Sequence, residues 1–283
     1  MPLKETIEET IERLFETPAG KTDREGALRA IDQLKASLNR GEARAAVYEH
    51  GTWRVNPWVK KGILLAFRIG RVAETPHASR DGFEFLDKDT MKLKHFTAAD
   101  GVRIVAGGSA IRDGAYVAEG VVMMPPSYIN IGAYVGKDTM IDSHALVGSC
   151  AQVGERVHLS AGSQVGGVLE PVGSMPVVIE DDVFIGGNCG IYEGTIVKRR
   201  AVIGAGVILT GSTPVYDLIN SKVYRKSKDQ PLIIPEGAVV IAGNRHISHP
   251  FAKEHHLSIY TPIILKYRDE KTDAATVLEE SLR

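Results

Sequence analysis

The chain has 283 residues with 43% hydrophobic content, so it is longer than one average domain and can bury a sizeable core. Its 34 lysines and arginines balance 35 aspartates and glutamates, which argues against non-specific binding of nucleic acid or of a membrane surface. No apolar run is long enough to span a membrane, and residues 1–13 are charged, unlike the apolar part of a signal peptide. The two cysteines lack zinc or redox spacing, which favours a reducing compartment. We therefore expect a soluble cytoplasmic protein.

Residues 1–104 are predicted to form a mostly helical N-terminal domain. Apolar residues at helical spacing indicate a first helix near the start of the chain. Asp23 is a suitable N-cap for a second helix, and Pro57 stands where a third helix begins. Between these two helices, Ala43–Glu49 and Thr52–Val55 are expected to pair as a short hairpin.

From Val105 onward the sequence repeats every six residues, with an aliphatic residue or methionine at each anchor position. The anchors are Val105, Ile111, Val117, Met123, Ile129, Val135, Ile141, Val147, Val153, Leu159 and Val165, then Ile179, Ile185, Ile191, Val197, Ile203, Leu209 and Val215. Helical faces recur at 3.6 residues and strand faces at 2, so neither explains this period. A short strand followed by a corner does, and three such units make one triangular turn of a parallel β-helix. This fold is predicted over residues 105–244.

Two stretches interrupt the repeat. Val165 and Ile179 are separated by fourteen residues where the repeat requires twelve, so a loop is expected near residues 166–178. A second excursion, polar and basic, is expected near residues 216–235. The strand-like run Val239–Ile241 then resumes in phase, which indicates that the β-helix continues beyond this excursion.

Residues 245–283 are predicted to be a C-terminal extension that mixes strand and helix. Ile259–Leu265 reads as a strand, and Ala274–Leu282 as a short helix. The whole chain is thus predicted to be mainly β, with a helical domain before the β-helix and a β/α tail after it. The two end pieces are suited to cover sheet edges that would otherwise be free to pair.

Because the anchors fill the interior, chemistry must come from residues that point outward. Asp142 is a carboxylate one position after an anchor, and Arg103 lies just before the first repeat unit. Taken alone, Asp142 is equally well explained as a solvated turn aspartate, and an arginine at a domain junction such as Arg103 is more often structural than ligand-binding. The repeat contains two histidines, His144 and His158. A β-helical carbonic anhydrase uses three, so we expect no metal site here.

Several segments carry a specific resemblance to a known family. They are Pro126–Val135, Val147–Gly154 and Gly166–Pro171 in the repeat, with Trp58–Leu65 before them and Ile179–Asp181 after them. In sequence and order they resemble the tetrahydrodipicolinate N-succinyltransferase family, over most of the chain. A generic six-residue repeat would not reproduce these segments.

The resemblance implies an enzyme of the diaminopimelate route to lysine. It implies a left-handed parallel β-helix, an exception to the usual right-handed crossover, assembled as a homotrimer with active sites between subunits. Such an enzyme transfers the succinyl group of succinyl-CoA to the amino group of ring-opened tetrahydrodipicolinate. Succinyl-CoA is then a co-substrate, and no tightly bound cofactor is expected.

The substrate-binding arginine and aspartate of the family fall on Arg103 and Asp142, and Ser149 lies in a matching segment as a further substrate-binding candidate. A guanidinium can hold a carboxylate of the acceptor through two parallel hydrogen bonds. The attacking amine must lose a proton, and Asp142 could orient that amine or accept the proton. A free aspartate is a weak base at neutral pH, so orientation and charge stabilisation are expected to matter as much as proton transfer.

The sequence departs from the family at Gly190, where some members carry a glutamate near the acceptor site. Glu193 is close by and matches a second family glutamate, which makes it a candidate catalytic residue. Glu170 is a candidate for substrate binding. Either Glu193 or Glu170 could supply the carboxylate near the acceptor that position 190 lacks, and each could instead be an ordinary turn glutamate.

The acyl donor needs an oxyanion site and a phosphate site. The glycine-rich corner Gly166–Gly167 could offer a backbone N–H to the thioester oxygen. Coenzyme A carries several phosphates, so basic groups should line its groove. The candidates are Lys198–Arg200, Arg225–Lys228, and Lys266 with Arg268, and each run could instead be a solvated face.

Two other functions stay open on the residues alone. The chain could be an acetyl-CoA-dependent acyltransferase that acts on the same or a related acceptor. It could also be a β-helical scaffold without catalytic activity, in which case Arg103 and Asp142 would face bulk solvent. Relative rates with succinyl-CoA and acetyl-CoA would distinguish the first alternative from a succinyltransferase. A measurement of coenzyme A binding would distinguish the non-catalytic scaffold from either enzyme.

Overall fold

The computed structural model describes residues 5–75, 85–228 and 230–269. The N-terminal elements are α1 (Ile7–Glu16), α2 (Arg24–Asn39), β1 (Ala46–Glu49), β2 (Thr52–Val55), α3 (Pro57–Ile69), β3 (Val72–Glu74) and β4 (Leu86–Lys88). Local chemistry explains where the helices begin. Thr6 and Glu9 form a capping box at α1, and the Asp23 carboxylate accepts hydrogen bonds from two backbone N–H groups of α2. The predicted N-cap at Asp23, the helix start at Pro57 and the β1–β2 hairpin are confirmed.

The repeat folds into short strands, nearly all of them two residues long. They are β5 (Arg103–Ile104), β6 (Ala110–Ile111), β7 (Tyr116–Val117), β8 (Val122–Met123), β9 (Tyr128–Ile129), β10 (Tyr134–Val135), β11 (Met140–Ile141), β12 (Leu146–Val147), β13 (Gln152–Val153), β14 (His158–Leu159), β15 (Gln164–Val165), β16 (Val178–Ile179), β17 (Phe184–Ile185), β18 (Gly190–Ile191), β19 (Ile196–Val197), β20 (Val202–Ile203), β21 (Ile208–Leu209), β22 (Val215–Asp217), β23 (Lys222–Tyr224), β24 (Ile233–Ile234) and β25 (Ala238–His246). The tail adds α4 (Pro250–Glu254) and β26 (Ser258–Tyr267).

These strands stack into three sheets, which are the faces of a triangular prism. Sheet I contains β7, β10, β13, β16, β19 and β24; sheet II contains β5, β8, β11, β14, β17, β20 and β25 with β26, β22 and β23 beyond them; sheet III contains β6, β9, β12, β15, β18 and β21. Within the coil, neighbouring strands are parallel, and Tyr134 faces Tyr116 and Gln152, eighteen positions away on either side. Three six-residue units therefore make one coil, and the predicted parallel β-helix is confirmed.

The anchors point into the prism and form one continuous core from Ile111 to Val240. Burying each such side chain contributes about 1.5–3 kcal/mol, so this column supplies most of the driving force for the coil. A second core lies among the three N-terminal helices and includes Ile131 and Cys150 from corners of the coil. The helical domain is thus packed directly against the prism.

Both predicted interruptions are present. The first is the 166–177 loop between β15 and β16, and Gln152 consequently faces Val178, 26 positions later. The second separates Ile196 from its partner Ile233 by 37 positions. It was predicted as a loop, but it contains the antiparallel hairpin β22–β23, and β22 extends sheet II by pairing with β26.

The tail strand predicted over Ile259–Leu265 is confirmed within β26, which pairs with β25 as a long antiparallel hairpin. The helix predicted over Ala274–Leu282 lies outside the described residues. Within the described ranges, no helix combines the length and apolar character that crossing a bilayer requires.

Candidate active site

The prism has three edges, named here by the sheets that meet there. The chain turns from sheet II to sheet III at corners such as Asp142–Ala145, from sheet III to sheet I at Gly148–Ala151, and from sheet I to sheet II at Gly154–Val157. The 166–177 loop and the excursion after β21 both leave the coil at the III–I edge. Functional groups on different edges are thus separated by a face of the prism.

A cavity of about 880 Å³ opens at the III–I edge, between the two interruptions. Its walls come from the 166–177 loop, from residues 226–228 and 230–231, and from Val55 at the end of β2. Its size is typical of small-molecule sites in proteins. Gly166, Gly167, Glu170 and Glu193, all predicted site residues, line this cavity.

The structure distinguishes the two glycines of the predicted oxyanion corner. The Gly166 N–H already donates to the Ile191 carbonyl at 2.8 Å, as part of the sheet. The Gly167 N–H has no acceptor among the described residues. Close packing explains why this corner is glycine, because a Cβ added to Gly167 would lie 2.7 Å from the Ser149 nitrogen. Gly167 is therefore the member of the pair whose amide can serve a ligand.

The two candidate glutamates differ in what they contact. A carboxylate oxygen of Glu193 accepts a hydrogen bond from the Gly211 N–H at 2.9 Å, so this residue caps the corner one coil above it. Its backbone has a φ of 53°, in the left-handed region that the tight corner requires. Glu170 is exposed on the 166–177 loop. Glu193 thus has a local structural role in addition to its place in the cavity wall.

Three groups of basic residues were predicted as candidates for binding the phosphates of coenzyme A. Of these, only the Arg225–Lys228 run contributes residues to the cavity wall, namely Lys226 and Lys228. Lys198 lies 2.8 Å from the Glu180 carboxylate. Lys266, on β26, lies 3.0 Å from Asp269 and does not line this cavity. The cavity therefore meets two ammonium groups that pair with no carboxylate in the described part of the chain.

Arg103 and Asp142 lie at a different place, on sheet II and at the II–III edge. Asp142 is half-buried, and its carboxylate accepts a hydrogen bond from the Ser143 N–H at 2.6 Å. Arg103, in β5, is exposed and is two strands from β11, which Asp142 follows. Ser149 is buried behind the cavity floor, where its carbonyl accepts from the Val168 N–H at 3.2 Å. One chain therefore holds the predicted residues in two separate groups.

Comparison with known proteins agrees with the fold and the sequence pattern. A family model described as "Tetrahydrodipicolinate N-succinyltransferase N-terminal" matches residues 6–69, and one described as "Hexapeptide repeat of succinyl-transferase" matches residues 176–211. The 2,3,4,5-tetrahydropyridine-2,6-dicarboxylate N-succinyltransferase of Polynucleobacter asymbioticus is 41% identical over 259 residues, which cover 90% of this chain and 89% of that protein. The protein of the same name from Sodalis glossinidius is 38% identical over 290 residues, which cover 99% and 98%. The chain belongs to the tetrahydrodipicolinate N-succinyltransferase family.

Packing explains why position 190 is a glycine in this chain. The ring of Tyr192 lies over that glycine, and a Cβ built there would be 2.4 Å from Cε2 and 2.8 Å from the hydroxyl oxygen. The same ring approaches Gly166, the glycine one coil below Tyr192. A glutamate at position 190 would need the space that the ring occupies. Sequence reasoning missed Tyr192, although a large aromatic residue two positions after an outward glycine was a usable signal.

Neither cysteine is suited to form a covalent acyl intermediate. Burial raises the pKa of the Cys150 thiol to about 12, and burial also raises the pKa of Cys189. Both are therefore protonated thiols at neutral pH, whereas the thiolate is the nucleophile. In the described residues, no three histidine, cysteine, aspartate or glutamate side chains come close enough to hold a metal ion.

Proposed function

We propose that this protein transfers the succinyl group of succinyl-CoA to the amino group of ring-opened tetrahydrodipicolinate, in the diaminopimelate route to lysine. The amine nitrogen attacks the thioester carbonyl, the new C–N bond forms, and the C–S bond breaks to release coenzyme A as the thiol. The observation that carries this proposal is the similarity to succinyltransferases over nearly the whole length of both chains. The cavity at the III–I edge supports it, because that cavity has room and donors for a thioester.

In this mechanism the acceptor is held by Arg103 and Asp142. The guanidinium binds a carboxylate of the dicarboxylate acceptor. Asp142 orients the amine and takes the proton that the nitrogen loses as the C–N bond forms, and the proton then passes to the leaving thiolate. Ser149 and Glu170 complete the acceptor site, and Glu193 supplies a further carboxylate near the reacting atoms.

The donor lies in the cavity at the III–I edge. The Gly167 N–H donates to the thioester oxygen as negative charge develops on it, next to Gly166 on the cavity floor. Lys226 and Lys228 face the phosphates of coenzyme A, and Lys266 is a further candidate for this contact. Succinyl-CoA is consumed in each turnover, so the enzyme needs no resident cofactor.

Because Arg103 and Asp142 lie away from the edge that holds the donor cavity, Ser149 and Glu170, we propose that the site forms between subunits of a homotrimer. The II–III edge of one subunit then faces the III–I edge of the next, and three copies close the arrangement. Light scattering on the purified protein tests this part, and a monomer at catalytic concentrations that retains full activity would contradict it. We place the enzyme in the cytoplasm, where succinyl-CoA is available.

Steady-state kinetics with purified protein test the reaction itself. We expect transfer to tetrahydrodipicolinate with succinyl-CoA, and kcat/KM at least about tenfold lower with acetyl-CoA. A preference for acetyl-CoA would overturn the donor assignment and leave the acceptor assignment standing. Absence of transfer from either thioester, together with absence of coenzyme A binding by calorimetry, would refute the enzymatic proposal.

A further inference from the structure

Lys60 is a buried lysine on α3 that the mechanism above does not use. Its side chain is 0% exposed, and its Nζ donates a hydrogen bond to the Ser174 carbonyl at 2.5 Å. No carboxylate in the described part of the chain lies within ion-pair distance of this nitrogen. The neighbouring Lys61, by contrast, pairs with Glu12 of α1. The charge of Lys60 is therefore directed at a single backbone oxygen.

That oxygen belongs to the 166–177 loop, which walls the cavity. Ser174 and Met175 both line it. The loop is also held at its end, where the Met175 carbonyl packs so closely on Gly194 that a Cβ there would lie 2.5 Å from the oxygen. Leu169, near its start, packs against the helical core. Lys60 thus supplies the polar contact that holds the centre of this loop to the N-terminal domain.

Burying the charged amine of Lys60 costs free energy, so this residue differs from the apolar side chains that ordinarily fill a core. A charged group taken out of water without a carboxylate partner is destabilising, and apolar residues of similar volume often do as well or better at such positions. Burial accordingly lowers the pKa of the Lys60 amine. Cys150 is its near neighbour in the helical core, and that thiol stays protonated, so it supplies no counter-charge. Stability alone does not account for a lysine here.

We propose that Lys60 is a positioning residue for the acyl-donor cavity. It fixes the Ser174 carbonyl, and through it the 166–177 loop, in the place that the donor requires. The inference rests on the proposed function, because it presumes that this cavity binds the thioester. It also gives the N-terminal domain a role in the reaction, since α3 sets the shape of a cavity on the coil.

Lys60→Met tests this assignment, with Lys61→Met as its matched control on the same helix. Methionine fills the same space without the donor or the charge. We expect K60M to raise the KM for succinyl-CoA about tenfold, to change kcat less than about threefold, and to melt no lower than the wild type. Hydrogen–deuterium exchange should rise in peptides spanning residues 168–176 and stay unchanged in residues 128–165. K61M should leave the donor KM and the exchange of the loop unchanged.

Three outcomes would overturn the assignment. The first is a K60M enzyme with both the donor KM and the melting temperature of the wild type. The second is a lower melting temperature with an unchanged donor KM, which would make Lys60 structural. The third is failure of both K60M and Lys60→Gln to fold, which would assign the lysine to folding. Wild-type protein that transfers no acyl group would refute the proposed function instead, and the exchange experiment would still report whether Lys60 holds the loop.

Discussion

The III–I edge and the I–II edge of the same prism use their charged residues differently. The I–II edge runs without an insertion through Glu155, Arg156 and Asp182, and its charges pair with each other. Arg156 lies 2.7 Å from Asp182 and 2.9 Å from Glu155. At the III–I edge, two insertions bring Lys226 and Lys228 to a cavity, and neither forms an ion pair in the described part of the chain.

The contrast between the two edges shows which positions of this fold can serve a ligand. A regular corner spans so few residues that its side chains reach mainly the corners above and below, one coil away. Opposite charges at successive corners then neutralise each other, as they do along the I–II edge. An insertion lifts side chains away from those neighbours, so their charges and N–H groups stay available for a ligand. Four variants test this contrast between the edges.

The largest effect is expected for Asp142→Asn at the II–III edge. The amide keeps the shape of the side chain but can neither accept the proton nor balance the positive charge that develops on the amine. We expect kcat/KM to fall by about 100-fold or more, with an unchanged melting temperature. Glu155→Gln, an acidic residue of the I–II edge, is the control and should retain wild-type kinetics. Wild-type kinetics for D142N would remove Asp142 from the mechanism.

Gly148→Ala should destabilise the III–I edge. The added methyl group would meet the Gly167 backbone, which cannot rotate away as a side chain could. We expect the free energy of unfolding to drop by about 1–3 kcal/mol in chemical denaturation. Gly173→Ala is the control, because nothing lies within 4 Å of its added methyl group, and it should stay within about 1 kcal/mol of the wild type. Equal stabilities for the two variants would contradict the close packing at this corner.

The double substitution Lys226→Ala and Lys228→Ala should weaken donor binding. We expect the KM for succinyl-CoA to rise about tenfold at low salt, with kcat nearly unchanged. The difference should shrink as salt is added, because salt screens exposed charges. Lys253→Ala, on α4, is a control of the same charge. Lys266→Ala provides a direct comparison, and a larger effect there would move the phosphate site from the cavity to β26.

The smallest effect is expected at the I–II edge itself, for Asp182→Asn. The hydrogen bond from the Arg156 guanidinium lowers the pKa of the Asp182 carboxyl. A folded-state pKa below the unfolded value of about 3.9 means that the carboxylate stabilises the fold above that pH. Its contribution is lost as the pH falls through the lower, folded value. Both partners are partly exposed, so we expect less than about 1 kcal/mol. Denaturation at pH 7 and pH 3 should therefore show a larger gap between wild type and D182N at pH 7 than at pH 3.

Local patterns were enough to predict most of the fold. The anchor period requires only that every sixth residue faces inward, and the structure keeps that rule from Ile111 to Val165 and from Ile179 to Val215. The phase predicted after the second excursion was wrong by one position, because Val240 and not Val239 is buried and pairs with the anchor Ile203. Asp23 and Pro57 are read correctly because a cap and a helix start depend on neighbouring residues. The family segments predicted Gly166, Gly167, Glu170 and Glu193, and these four line one cavity.

What the sequence did not predict depends on contacts between distant residues. Lys60 reaches an oxygen 114 positions away, and no pattern around α3 indicates that partner. The ring of Tyr192 fills the space over Gly190, and the direction of that ring depends on the geometry of the coil. The β22–β23 hairpin was read as a loop because its strands are three residues long and lie in a polar stretch. Short strands whose partner is remote carry little periodic signal.

The way that the coil keeps its register across both insertions has a consequence for engineering. Gln152 still faces Val178, and Ile196 still faces Ile233, although the chain between them is longer than one coil. Each rung is aligned by the rung beneath it, so the length of a connecting segment at an edge has little influence on the alignment. Residues 166–176, between β15 and β16, should therefore be exchangeable among related scaffolds without redesign of the prism core. The segment between β21 and β24 is different, because it carries Val215 and Leu232, which are buried in that core. New acyl donors could then be selected by transplanting the segment between β15 and β16.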